Sequence, residues 1–415
     1  MIVLKNISLI DARSFEIQKG NLLIDSANEG AYHFVDEVPK GVEEVECEGQ
    51  IAMKAFANGH HHAYSTLARG MPFNDTPPKN FVEILEKVWW KLDKKLTNEM
   101  NEISAYYTAI SSAKNGVASV IDHHASPFAV KNSLQKMSDA FSKTGLHSVL
   151  CYEISDRDGL AVRDQGLEET DDFLRDHQGL VGLHAAFTLS DDSLMKASEL
   201  AKKYKTGIHI HLAEDKADQE DSLSKYGKRV VNRLEGFGFL DMPKSIFAHG
   251  IHLSEEEKQM LAKSPAWLVQ NPESNLNNRV GYFNGQGLGD HIMLGTDGMH
   301  SNIIRSTQTA FFTGQNREDV DMVKIYQRLR NVNTYLEKHF ADTGYALMVM
   351  DYDSPTPLHS DNFYGHFFFG FENIGVRHLI QDGKFVMKDR KMINVDEDVI
   401  KKEANKLAVQ LWKQL

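Results

Sequence analysis

The chain has 415 residues, with 46 Lys and Arg against 58 Asp and Glu, and its formal charge of −12 excludes the broad basic face that a phosphate-neutralising protein needs. Hydrophobic residues make up 41% and charged residues 25%, which is globular rather than disordered composition, and two cysteines, Cys47 and Cys151, are too few for a disulfide framework. The opening MIVLKNISLIDARSFEIQKG has no basic segment leading into an apolar one, and nowhere do about 18 apolar residues run together, so a cytoplasmic protein without a signal peptide or membrane span is expected.

Residues 1–53 read as the first part of a small β domain, with short strands at Ile2 to Leu4, Asn21 to Ile24 and Glu44 to Cys47 set apart by Gly, Asp and Asn turns. From 54 to 345 the rhythm alternates. Apolar runs in SVIDHH, SVLCYEIS, GLVGLHAAF, GIHIHLAE, SIFAHG, AWLVQN and HIMLGTD are strands, and stretches such as Asn101 to Lys114, Leu194 to Tyr204 and Lys228 to Leu234 have helical period. Seven or eight strand–helix units over that length, without a glycine-rich phosphate fingerprint after the first strand, fit a (β/α)8 TIM-like barrel better than a doubly wound sheet. Residues 346–415 return to strands, around Tyr345 to Tyr352 and Val376 to Val386 with a turn at Asp382-Gly383, and end in a helix from Asp396 to Gln414. Chain ends that meet in one β-sandwich beside the barrel are the simplest arrangement.

The chemistry is in the 19 histidines. His60 and His62, at the end of the run IAMKAFA, share a face if that run is a strand, and so do His209 and His211 in GIHIHLAED, with Glu214 just beyond. His249 ends SIFAHG and Asp297 ends HIMLGTD. Each of these residues lies at the C-terminal end of an expected parallel strand, the rim where barrel enzymes build their sites. Three imidazoles and a carboxylate suit zinc first and ferrous iron second, with a position open to water whose pKa the metal lowers, which points to a hydrolase. His184, His123 and His124 also sit at strand ends, one of the latter pair facing inward and the other into packing. Trp89 and Trp90, in the helical stretch VEILEKVWWKL, read as core.

The set N-G-H-x-H at 58–62, H-x-A-E at 211–214, A-H-G at 248–250 and G-T-D-G at 295–298 resembles the amidohydrolase superfamily in its deaminase and chlorohydrolase branch. SVIDHHASP, YGKRVVNRL, ESNLNNRVGY and DYDSPTPLHSDNFYGH resemble the SsnA-type aminohydrolases, and the resemblance runs the whole length of the chain. It implies one divalent metal ion held by His60, His62, His211 and Asp297. It further implies that Asp297 takes a proton from the metal-bound water, that His249 stabilises the developing charge, and that Glu214 protonates a ring nitrogen. His184, His123, His124, Gln270 and Arg69 are then candidates to touch substrate. The expected activity is an aminohydrolase or deaminase acting on a nitrogen heterocycle of purine-like kind, with release of ammonia. Ring opening of a cyclic amide is the alternative hydrolysis, and a non-catalytic metabolite-binding barrel is the alternative outside enzymology. The partner is a small molecule, not nucleic acid or membrane, and relatives imply a homodimer. Two departures from the family pattern are Met53-Lys54-Ala55 for Met-Pro-Gly, and Gln270 where many relatives carry His.

Overall fold

The computed structural model of the chain describes residues 1–72, 76–371 and 374–415. Five strands come first: β1 (Ile2–Ile10), β2 (Ile17–Asp25), β3 (Ala31–Val35), β4 (Glu43–Glu46) and β5 (Gln50–Lys54). The β1–β2 turn is held by Asp11, whose Oδ1 accepts from the backbone N–H of Arg13 and Ser14. Then follow β6 (Phe56–His61), β7 (Val117–His124), β8 (His147–Tyr152), β9 (Val181–Ala185), β10 (Ile208–Leu212), β11 (Ile246–His249), β12 (Trp267–Gln270) and β13 (Ile292–Leu294). Helices separate them, among them Asn98–Lys114, Ser133–Thr144, Leu160–Asp176 and Asp191–Lys203. Their starts are written locally: Thr97 and Ser190 accept from the backbone two or three residues on, and Ser254 with Glu257 forms a reciprocal capping box.

Strands β6 to β8 form one parallel sheet and β9 to β13 another. Isolated parallel bridges join β8 to the segment around β9 at Leu150–Gly179 and Ile154–Leu183, and join His61 in β6 to Asp297 beyond β13. Every residue of β7, β9, β10 and β11 is buried, the mark of strands covered on both faces.

The last strands are β14 (Leu347–Asp351), β15 (Gly375–Gln381), β16 (Lys384–Lys388) and β17 (Lys391–Met392). Hydrogen bonding puts them and the first five strands in a single nine-stranded sheet, in the order β17-β16-β15-β14-β5-β1-β2-β3 with β4 beside β1. Among the described residues the antiparallel pair β5–β14 joins the strands of the two chain ends, so both ends meet in one β unit as expected. Leu4, Ile7, Leu22, Leu347, Val349 and Phe385 give this sheet an apolar core of its own. The run IAMKAFA, expected as one strand, divides at Ala55 between β5 and β6, so the chain passes there from the end sheet into the parallel set. The closing helix Glu397–Trp412 returns to the parallel-strand side, where Trp412 Nε1 donates to the carbonyl of Leu67 at 2.7 Å. Among the described residues no helix is long and apolar enough to cross a membrane.

Candidate metal centre and adjoining cavity

The C-terminal ends of the parallel strands converge. Asn58 ties β6 to the chain beyond β13, donating to Thr296 Oγ1 at 2.7 Å and accepting from the Thr296 N–H at 3.2 Å. The carbonyl of His60 accepts from the N–H groups of Thr296 and Asp297, both at 3.0 Å. His249 and Asp297 have φ of 75° and 54°, in the left-handed region that non-glycine residues seldom adopt and that clusters at functional sites. The sharp backbone turn swings each side chain inward from its strand end.

His62 Nδ1–H donates to the carbonyl of His123 at 2.6 Å, and His211 Nδ1–H donates to the carbonyl of His184 at 2.7 Å. In the neutral rings both Nε2 atoms are therefore bare, yet they lie 3.2 Å apart, where two lone pairs repel. Asp297 Oδ1 is 3.1 Å from His62 Nε2 and 3.6 Å from His60 Nε2, and the latter nitrogen is buried without a hydrogen-bond partner. A tetrahedral ion with bonds of about 2.0–2.1 Å places its ligand atoms roughly 3.3–3.4 Å apart. The spacing, the bare nitrogens and the orphaned His60 Nε2 fit one divalent ion, with zinc suited by the nitrogen-rich set. Backbone carbonyls behind His62 and His211 supply the outer contacts that orient metal-binding imidazoles.

The electrostatics agree. Burial lowers His60 to about 3 and His211 well below the usual imidazole value. Burial opposes ionisation of Asp297, but its bonds to His60 and His62 outweigh this and hold its carboxyl well below the usual range. Burial likewise lowers His62, and Asp297 overcomes it to raise the ring to about 9, so a proton and a cation compete for the same nitrogen. Next to this set His249 Nδ1–H donates to Asn275 Oδ1 at 2.8 Å, and its unpartnered Nε2 lies 3.5 Å from Glu214 Oε2 and 3.8 Å from Asp297 Oδ2. Burial raises Glu214 to about 7, assisted by Asp297 and opposed by His249.

A cavity opens from His62, His211, Glu214 and Asp297 and is walled by Tyr64, Trp89, Trp90 and Phe187. Trp89 and Trp90 pack against the cluster of Phe81, Leu85 and Val280 and also wall the cavity, a second face that their reading as core left out. The physical reason is the π-helical segment Leu85–Trp89, which breaks the 3.6-residue period on which the core reading rested. His184 lines the cavity. His123 lies beneath it with Nε2 toward the carbonyls of Leu183 and His209. His123 and the other three expected substrate contacts are absent from the cavity lining. His124 is bonded to Ser126 Oγ, Gln270 Oε1 accepts from Arg328 Nη1 at 2.8 Å, and Arg69 is exposed beyond the 3-10 helix Ala63–Ala68. Gln270 is engaged by a buried Arg328–Glu318 pair reaching it from outside the site.

Among the cavity residues that the sequence does not single out are the charged Glu153, Arg157 and Asp93. Glu153 directly follows β8, so the strand-end rule that selected the histidines also applies to it. Burial opposes its charge, but His184, His123 and Arg157 hold its carboxyl well below the usual range. Arg157 pairs with Asp93, from a distant segment that no local motif connects to it.

The sequence profile of the amidohydrolase family matches residues 51–330. A 5-methylthioadenosine/S-adenosylhomocysteine deaminase of Desulforamulus reducens is 28% identical over 396 residues, covering 89% of this chain and 88% of its own. A 5'-deoxyadenosine deaminase of Methanopyrus kandleri is 26% identical, covering 95% and 96%. Among solved structures, a zinc-bound adenosine deaminase from Xanthomonas campestris superposes with a TM-score of 0.83 at 17% identity over 99% of this chain and 98% of that one. Atrazine chlorohydrolase from Arthrobacter aurescens, complexed with zinc, gives 0.81 at 15% identity over 98% and 100%.

Proposed function

The chain belongs to the amidohydrolase family, and from that premise we propose that it is a metal-dependent aminohydrolase that removes an amino group from a purine-like heterocycle and releases ammonia. The observation that carries the reading is the convergence of the bare Nε2 atoms of His62 and His211 on the Asp297 carboxylate, beside the Glu214–His249 pair. The deaminase names of the relatives at 26–28% identity point to the same bond.

In this reading the two parallel sheets are arcs of one (β/α)8 barrel, spanning 54–345, with 1–53 and 346–415 forming the flanking β unit; the bridges at both seams support it. His60, His62, His211 and Asp297 hold one divalent ion, which when bound supplies a Lewis acid that acidifies water. Asp297 Oδ2 accepts the proton of the attacking water and returns it to the amino nitrogen, which leaves as ammonia as its C–N bond breaks. His249, fixed by Asn275 and fully buried, carries a proton on Nε2, where Glu214 and Asp297 stand by, and donates it as a hydrogen bond to the attacking oxygen on which negative charge develops. Glu214, raised to about 7 by burial, keeps a proton near neutrality and delivers it to the ring nitrogen beside that carbon. The aromatic wall of Tyr64, Trp89 and Trp90 stacks against a flat ring.

The test is to load the protein with zinc or ferrous iron and incubate it with purines, pyrimidines and hydantoins, measuring ammonia and new carboxylate separately. Ammonia from an amino-bearing ring, with about one metal ion per chain, is the expected result. Carboxylate without ammonia would transfer the assignment to ring opening, and neither product across the panel would sink the enzymatic reading.

A further inference from the structure

Beside the donors of Arg157 and Trp90, one part of the cavity wall presents hydrogen-bond acceptors, Glu153 and His184. His184 Nδ1 is 2.7 Å from Thr188 Oγ1, and that hydroxyl spends its own proton on the carbonyl of Ala185 at 3.0 Å, so His184 Nδ1 is the donor and its Nε2 is bare in the neutral ring. His123 Nε2–H faces the carbonyls of Leu183 and His209, both at 3.1 Å, so its Nδ1 is bare too, buried and without a hydrogen-bond partner. Between them stands Glu153, with Oε2 at 3.4 Å from that nitrogen and Oε1 at 3.7 Å from Arg157 Nη2. Both separations exceed a charge-assisted hydrogen bond, and Arg157 is engaged by Asp93 and Asp158 instead. The Glu153 carboxylate and the bare Nε2 of His184 both line the cavity, with His123 behind Glu153 and outside the lining, so this part of the wall offers acceptors to a donor arriving from the cavity.

The position of the wall says which part of a ligand supplies it. Ligand atoms of Glu153, His184 and His211 lie within 4.8 Å of one another, and His211 belongs to the set that fits the metal. A group bonded to Glu153 and His184 is therefore within about one ring's width of the reacting carbon. It belongs to the heterocycle itself rather than to a sugar attached to it.

We propose that Glu153 and His184 select the substrate by a ring edge that presents N–H donors, such as an exocyclic 2-amino group distinct from the amine that leaves. The inference rests on the aminohydrolase reading for the meaning of substrate, but its geometry concerns recognition alone. Around C2 adenine offers only the bare N1 and N3 and would meet acceptors with acceptors, whereas the 2-amino group of a 2-aminopurine meets them with N–H donors.

Equilibrium binding to the zinc-loaded protein, measured by calorimetry, separates the two. The probes are matched pairs, 2,6-diaminopurine against adenine and 2-aminopurine against purine, with metal content assayed in parallel. The amino-bearing partner should bind at least about tenfold tighter, and in Glu153→Gln that preference should fall below about threefold with metal content unchanged. His184→Gln, at a different strand end, should also reduce it, and serves if Glu153→Gln does not fold. Equal binding within the pairs, a preference that survives both substitutions, or two metal ions per chain with one lost in Glu153→Gln would each overturn the proposal, the last by making Glu153 a metal ligand. A preference present without ammonia release would uphold the edge recognition while overturning the aminohydrolase reading.

Discussion

His211 has one nitrogen committed to the carbonyl of His184 and the other aimed at His62 and Asp297, so its loss removes a ligand without removing a packing anchor of the strand. His211→Ala is expected to lower bound metal to below about one-tenth of the wild-type content and to abolish ammonia release, with far-UV circular dichroism unchanged; full activity in this variant would refute the ligand assignment. Glu214 is expected to give the pH profile its alkaline limb. Burial raises it to about 7, so the acid form needed for proton delivery is present below that pH and lost above it, and kcat should decline as pH rises through about 7. Glu214→Gln should cost roughly 10²–10⁴ in kcat and remove the alkaline limb, and a variant that keeps the limb assigns it to another group. At this scale the sequence was most legible where residue type and position coincide, at His60, His62, His211 and Asp297. It was least legible at Gln270 and His124, whose partners Arg328 and Ser126 are made by folding and carry no local signature.

Strand ends are where element and site become the same thing. β13 stops at Leu294, and Gly295 follows because a Cβ there would lie 2.4 Å from Asn271 Oδ1 and 2.8 Å from His60 Cβ. Gly295→Ala must push His60 and Asn271 apart, at a cost of about 1–3 kcal/mol for overpacking. It should lower Tm, and because His60 is displaced it should weaken metal binding as well. A fall in Tm with metal affinity unchanged would mean that the strain is relieved on the Asn271 side alone. The alternation of strand and helix was readable because fully buried parallel strands are short apolar runs, and helix starts carry caps such as Ser190 and Ser254. The break at Ala55 was not, since IAMKAFA is apolar apart from Lys54 and only its two different neighbours, β14 for β5 and β7 for β6, divide it. The same limit applies to Trp89 and Trp90, where one π-helical turn overrides a regular period.

Over the whole molecule, the parallel strands and the end sheet meet at polar contacts as well as apolar ones, and these pairings between distant segments are invisible to local pattern. His147, at the start of β8, lies between Asp382 in the β15–β16 turn, at 2.8 Å from its Nε2, and Asp342 after the helix Met322–His339, at 3.9 Å from its Nδ1. Asp342 also accepts from Ser119 Oγ in β7 at 3.1 Å, and Gln381 Nε2 lies 3.0 Å from His147 Nδ1. Burial lowers the pKa of His147, but the two carboxylates outweigh it and raise the ring from 6.5 to about 9. The folded form therefore binds this proton more tightly than the unfolded chain does. The stabilisation is present in full below about pH 6.5 and is lost as pH rises through about 9. The side chains of His147 and Asp382 are 40% and 46% exposed, so solvent and salt weaken the effect and it should diminish at high ionic strength. Tm measured from pH 6 to pH 9.5 should fall more steeply in the wild type than in His147→Ala, with the two curves closest at the alkaline end. Parallel curves across that range would mean that the contact between the two parts of the chain is carried by packing and not by this charge.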